Sequence, residues 1–494
     1  MGSVMALLWV GIFPLWNGGS YASITRAKWM GMNGLAGATV LLCLLSAVLS
    51  WRGQKKPVPP RKGARDLSAT LPWIAGGLLL IWLGLSCCFG PWHEETNERG
   101  QPIVLYGLYR HEGLFTSLTC AAVFFCLSLA RPGMRVLAWG AGAALDLSAC
   151  LALLQYFNLN PLGLFPEGTD IFHNYEFQSF IGNIDFVSEY LSLMVPLLFG
   201  AWLIERRSGF FLASALIGVE WLFCMEVQAG LLALAAMTGG LLLLAVHSSA
   251  FRGRGLAALA GISAMAALRR VIRLPWLDGG EALRLEFSLS AMILFALAAA
   301  LAAAAFFFIR KPGKDIPWRW IAAACLALLL IAVPVFLGMS LTPADGGLWE
   351  MQQVLKGHPE DSFGSYRLGV WRHTWDLAMG SPVFGLGPGT FYRAHQAYLR
   401  AERITLPQSF DNPHNMALGM LADGGVPALI LWLALLGILI FRGVKRGGWN
   451  AALALSMACY LTDGIFAFPV CAVSPIFWAL AGLCCGLGRQ REEL

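Results

Sequence analysis

The chain has 494 residues, 57% of them hydrophobic and 13% charged, and a formal charge of +6 from 35 Lys and Arg against 29 Asp and Glu. Soluble globular proteins carry about 25% charged residues, and the mean hydropathy here is +0.63. These values exclude an ordinary cytoplasmic enzyme, a disordered protein and a nucleic-acid binder, and they leave an integral membrane protein.

Apolar runs of about 18 or more residues read as membrane spans, because a helix rising about 1.5 Å per residue needs that length to cross about 30 Å of hydrocarbon. In chain order they fall at 4–20, 32–51, 71–90, 114–130, 135–157, 185–204, 209–225, 228–247, 255–268, 286–309, 319–340, 413–441, 449–463 and 470–487, with 255–268 the weakest. The predicted fold is therefore all-α and polytopic, with about 12–14 transmembrane helices. Three regions follow: N-terminal transmembrane helices over 1–340, a large extracytoplasmic loop over 341–412, and C-terminal transmembrane helices over 413–494. The first run has no basic leader and no small-residue cleavage site before the second, so it reads as a retained helix.

Lys and Arg in short loops mark the cytoplasmic side. With the N-terminus inside, the segments 52–65, 131–135, 206–207, 252–254, 310–319, 442–446 and 489–491 hold 21 of the 35 bases. The basic stretch 52–65, with Pro57, Pro59 and Pro60, faces anionic lipid head groups. The twelve cysteines all lie in or beside apolar runs and form no C-x-x-C pair. They read as packing residues rather than disulfides or metal ligands.

The loop over 341–412 is too long to be a mere connector, and its aromatic content, including Trp349, Tyr366, Trp371, Trp375 and Tyr398, predicts an ordered structure. Leu368, Trp371, Trp375 and Met379 share one face of a helix predicted over Tyr366–Met379, which Gly380 and Pro382 end. Gly385-Leu-Gly387-Pro388-Gly389 is not set in a strand-then-helix unit and reads as a tight turn that brings backbone close to a partner. Phosphate-loop and zinc-helix motifs do not occur in the chain.

Several of these segments together resemble the O-antigen ligase and polymerase superfamily. They are Tyr366-Arg367-Leu-Gly-Val-Trp371 with Ser381-Pro382-Val-Phe-Gly385-Leu-Gly387-Pro388-Gly389, then Asn412-Pro413-His414-Asn415 continuing through Asp423-Gly-Gly425, together with Arg110-His-Glu112-Gly113 and Gly182-Asn183-Ile-Asp185. Where that family has a Ser-Arg pair opening a middle helix, this chain reads Glu226-Val227-Gln228. The resemblance implies a metal-independent, cofactor-free, inverting membrane glycosyltransferase. Its donor would be a glycan on undecaprenyl diphosphate and its acceptor a hydroxyl of a glycolipid, glycan or protein, with membrane lipids as further partners and no nucleic acid. The expected setting is the bacterial cytoplasmic membrane, with the active site on its outer side. Ligase is preferred over repeat-unit polymerase and protein glycosylation.

The chemistry of these residue types agrees. A departing diphosphate develops negative charge that guanidinium groups stabilise, and a hydroxyl nucleophile needs a base such as imidazole. His414 and Arg367 are the catalytic candidates; Arg110, Arg372, Asn415, Asp463 and Gln228 are substrate-side candidates. Arg367 and Arg372 are five residues apart, about 140° around a helix, so they do not clamp one phosphate together; Arg367 is favoured. The bland alternatives are snorkelling for Arg110 and hydrogen bonding of the first helical turn for Asn415. Membrane carboxylates are functional candidates by default. Asp463 would orient His414 or bind acceptor hydroxyls, Glu189, Glu226 and Asp423 are weaker candidates, and Asp146 and Glu220 make internal polar contacts. The rival from another class is a lipid-linked glycan transporter, against which stands the lack of any internal repeat.

Overall fold

The computed structural model describes residues 1–53, 67–171, 178–205, 208–275, 282–311, 330 and 334–487. Helix accounts for 72% of it. Strand among the described residues is limited to an antiparallel pairing of Ile272–Arg273 with Arg284–Leu285 and one isolated bridge, Thr96 with Pro102.

The N-terminal half runs α1 (Gly2–Leu7), α2 (Ile24–Gly53), α3 (Leu67–Phe89), α4 (Ile103–Tyr106), α5 (Leu114–Leu129), α6 (Met134–Tyr156), α7 (Ile184–Ile204), α8 (Gly209–Met225), α9 (Gln228–His247), α10 (Arg252–Val271) and α11 (Leu289–Arg310). The C-terminal half adds α12 (Gly347–Leu355), α13 (Arg367–Gly380), α14 (Phe391–Ala401), α15 (Met416–Arg446), α16 (Gly448–Asp463) and α17 (Ser474–Leu487). Seven described helices are long and apolar enough to cross a membrane, and four shorter apolar ones accompany them. The fold is thus an all-α polytopic membrane protein. Every predicted run is a helix except 319–340, most of which lies outside the described residues, as do the basic residues 54–66.

α1 widens into a π-helical turn over Leu8–Ile12, tightens to a 3-10 turn over Phe13–Leu15 and then stops. Its final carbonyls would be stranded in an apolar setting, and the buried Lys28 ammonium on α2 donates to two of them, Phe13 O at 3.2 Å and Pro14 O at 2.8 Å. α7 is the central helix. It is buried nearly all round, in keeping with its predominantly apolar sequence, and it packs against α8 and α16. Around it, α17 packs on α5 and α15 on α3.

α15 is broken. Gly425 has φ 71° and ψ −170°, and Pro427 follows it. The turn over 381–389 plugs the break: Leu386 N donates to Ala422 O (2.6 Å) and Val426 N to Pro382 O (2.8 Å). α3 caps the remaining carbonyls through Trp82 Nε1 to Gly424 O (2.9 Å) and Ser86 Oγ to Asp423 O (2.6 Å). A helix is interrupted at membrane depth only where other protein groups satisfy the freed backbone. A Cβ on Gly385, whose φ is 65°, would collide with backbone of residues 422–425. The glycine-rich segment is therefore the predicted tight turn, and its partner is the broken helix.

The large loop is ordered about a small core of its own, formed by Val370, Leu386, Phe391, Ala394, Phe410 and, from α15, Ala422. α13 begins and ends within one residue of the predicted helix. The eleven described cysteines are free thiols.

Candidate active site

The site forms where the end of the large loop meets the start of α15. Phe410 to Asn415 make a compact turn: Asn412 Oδ1 accepts from His414 N (2.9 Å), and Asn412 Nδ2 donates to Asp411 Oδ1 (2.5 Å). His414 takes a positive φ of 50°, which turns its ring out of the helical path. Asn415 then caps α15, accepting from Leu418 N (2.9 Å) and donating to Ile465 O (3.0 Å). That is the first-turn hydrogen bonding weighed for it from sequence.

Arg110 reaches the same place from the turn between α4 and α5. Its own backbone N donates to the Glu112 carboxylate at 2.9 Å, and burial pushes that carboxyl up to about 7. The Arg110 side chain pairs with Asp411, Nε to Oδ2 at 2.5 Å. It also lies over the Phe468 ring at 4.8 Å and the Phe186 ring at 5.7 Å. Phe468 packs edge-on against His414 with centroids 4.9 Å apart, and Phe410 does so at 5.8 Å. Arg110, Asp411, His414 and three phenylalanine rings are thus one cluster.

His414 is half-buried. Burial, then the positive charge of Arg367 and lastly that of Arg110, lower its pKa to about 4, while Asp411 opposes them. Both arginines also attract Asp185, at the start of α7. Two guanidiniums, one imidazole and two carboxylates therefore share a field where the large loop meets α15. A cavity of about 390 Å³ opens beside them, lined by Tyr109, Arg110, Tyr392, Phe410, Asp411 and His414. A second, of about 190 Å³, runs from Arg110, Asp411 and Pro413 down between apolar side chains such as Leu79, Trp432 and Trp478. One cavity is polar and faces outward; the other is apolar and enters the span.

Other sequence candidates lie apart. Arg372 pairs with Asp361 and is exposed. Gln228 is exposed at the start of α9 beside Gly347. Asp463 is fully buried, its Oδ2 accepting from Ser188 Oγ (2.7 Å) and Ser192 Oγ (2.8 Å) on α7, so it braces α16 against α7. Asp423 Oδ1 accepts from Gly389 N at 3.3 Å, Glu226 pairs with Arg269 at 3.1 Å, and Asp146 accepts from Ser214 Oγ at 2.7 Å. Glu189 is wholly buried in α7. Two further histidines, His373 and His395, form a buried pair 3.2 Å apart inside the loop. Both are held below the usual histidine range, chiefly by burial.

Sequence reading missed Asp411, Asn412 and Phe468 as site residues. The first two were legible as an acid and a turn-forming amide directly before Pro413 and His414. Phe468 was not, because 54 residues separate it from His414.

No curated protein matches the chain. The family model described as O-antigen ligase matches residues 282–433, a segment that contains Arg367, Asp411, His414 and the break in α15 but not Arg110. Over those residues the chain is similar to the O-antigen ligase family, which supports a membrane glycan transferase of that type.

Proposed function

We propose that this protein transfers a glycan from an undecaprenyl-diphosphate carrier to an acceptor hydroxyl at the outer face of the cytoplasmic membrane, as a ligase of finished chains. The observation that carries this reading is the Arg110–Asp411 pair, which lines two cavities, one polar and shared with His414 and one apolar, while Arg367 acts on the same imidazole. A lipid-linked donor has the same division, with a charged head and a hydrocarbon tail.

His414 takes the proton of the acceptor hydroxyl as its oxygen attacks the anomeric carbon on the face opposite the diphosphate. The bond from that carbon to the diphosphate breaks, and its electron pair stays on the departing oxygen, where Arg110 and Arg367 neutralise it. Before the donor binds, burial and then those same arginines keep the imidazole neutral, hence able to accept a proton but weakly basic. A bound diphosphate cancels their charge and raises the basicity of His414 toward working pH. The donor thus activates the base that acts on the acceptor.

The test compares a deletion strain carrying the wild-type gene with one carrying His414→Ala and resolves the glycans left on the carrier. Full-length chains accumulating on undecaprenyl diphosphate in the variant are the expected result. Accumulated single repeat units would replace ligase by polymerase, and identical profiles would overturn the catalytic role of His414.

A further inference from the structure

Arg110 borders the outer polar cavity, the inner apolar cavity and a small third one that it shares with Lys28 and Phe186. Any charged head passing between the two larger cavities meets this guanidinium, yet the guanidinium is already engaged with Asp411. Both side chains keep partial exposure, 34% and 23%, so neither is locked away from an incoming ion. Asp411 in turn is tied through Asn412 to the backbone of His414. Of the charged groups acting on the imidazole, Arg367 and Arg110 are positive and Asp411 is negative. The neighbouring carboxylate, Asp185, engages the same two arginines.

We propose that Asp411 is an exchangeable counter-ion: it holds Arg110 before the donor binds, yields it to the diphosphate of the donor, and once released faces the imidazolium of His414. This rests on the reading of Arg110 as a diphosphate ligand. A diphosphate offers several anionic oxygens to a guanidinium where a carboxylate offers two, so it displaces Asp411 through the stronger charge-assisted pairing. The freed carboxylate then stabilises the proton that His414 has taken from the acceptor, until that proton passes to water. Asp411 is a positioning residue here; it touches neither sugar nor diphosphate.

The experiment uses the full-length protein in detergent, with undecaprenyl diphosphate as the binding probe and glycan transfer as the second readout. Asp411→Asn removes the competing charge and is expected to bind the probe about tenfold more tightly while kcat falls about tenfold. The acidic limb of its pH–rate profile moves to lower pH, since the imidazolium has lost its carboxylate. Asp411→Glu keeps the charge and is expected to restore probe affinity close to wild type, with part of kcat recovered. A thermal melt of each variant identifies one that has failed to fold, and Asp411→Glu carries the test alone if Asp411→Asn does so: tighter probe binding by a variant that keeps the charge overturns the proposal. If Asp411→Asn binds the probe no more tightly than wild type while Arg110→Ala binds it weakly, the exchange is refuted and the diphosphate reading stands. If Arg110→Ala binds the probe as well as wild type, the diphosphate reading itself fails, and the exchange with it.

Discussion

His414 is an imidazole whose protonation is suppressed first by burial and then by two guanidiniums, and this dictates how its proposed chemistry responds to pH. With the folded-state value lowered from 6.5 to about 4, the ring is neutral above that range and gains a proton only as pH falls through it. The acidic limb of kcat/KM reports the free enzyme, so it is expected well below 6.5. The limb of kcat reports the donor-bound enzyme, where the diphosphate has cancelled the arginine charge, and it is expected at higher pH. Transfer assays from pH 4 to 8 at low and saturating donor check this, and coincident limbs would refute the charge compensation. His414 and Arg367 were singled out in the sequence by their resemblance to short family motifs, which are local patterns. The pairing of Arg110 with Asp411 joins residues 301 apart in the chain, and no local pattern encodes it.

At the scale of elements, the broken α15 is the feature on which the site depends. His414 stands directly before the Asn415 cap of its first segment, and the turn over 381–389 links the break to the loop that holds Arg367. Two substitutions probe this joint. Trp82→Phe strips the indole donor from Gly424 O and is expected to cost about 1–3 kcal/mol through an unsatisfied buried carbonyl. Gly385→Val forces a branched side chain to φ 65° against backbone of α15, where the conformation alone costs about 1–3 kcal/mol and the collision adds to it. Thermal melts in detergent are expected to show both variants below wild type, Gly385→Val the lower. Equal melting temperatures would mean that the turn does not brace the break. The tight turn was legible from its glycines, whereas the discontinuity in α15 was not. Gly425 and Pro427 fall within an apolar run long enough to read as a single span, and only the groups that α3 and the turn supply make the break stable.

For the whole molecule, the distribution of basic residues predicts which ends of the bundle face out, and labelling tests it. Single cysteines introduced at Glu94 and His358, both at exposed positions in the predicted outer loops, are expected to react with a membrane-impermeant thiol reagent in intact spheroplasts. A cysteine at Pro132 or Ser249, in predicted inner loops, is expected to react only after lysis. The reverse pattern would invert the topology and move His414 to the cytoplasmic side. Sequence by itself determined the all-α membrane fold, the place of most long apolar helices and the order in the large loop. Hydropathy, turn residues and aromatic content act over neighbouring residues, so they are written locally. Tertiary structure decided which charges meet. It brought Arg110 to Asp411 beside His414, sent Arg372 to Asp361 at the surface, and bound Asp463 to the serines of α7. Those outcomes follow from the packing of distant helices and from the requirement that each buried polar group find a partner, a condition that a linear pattern does not express.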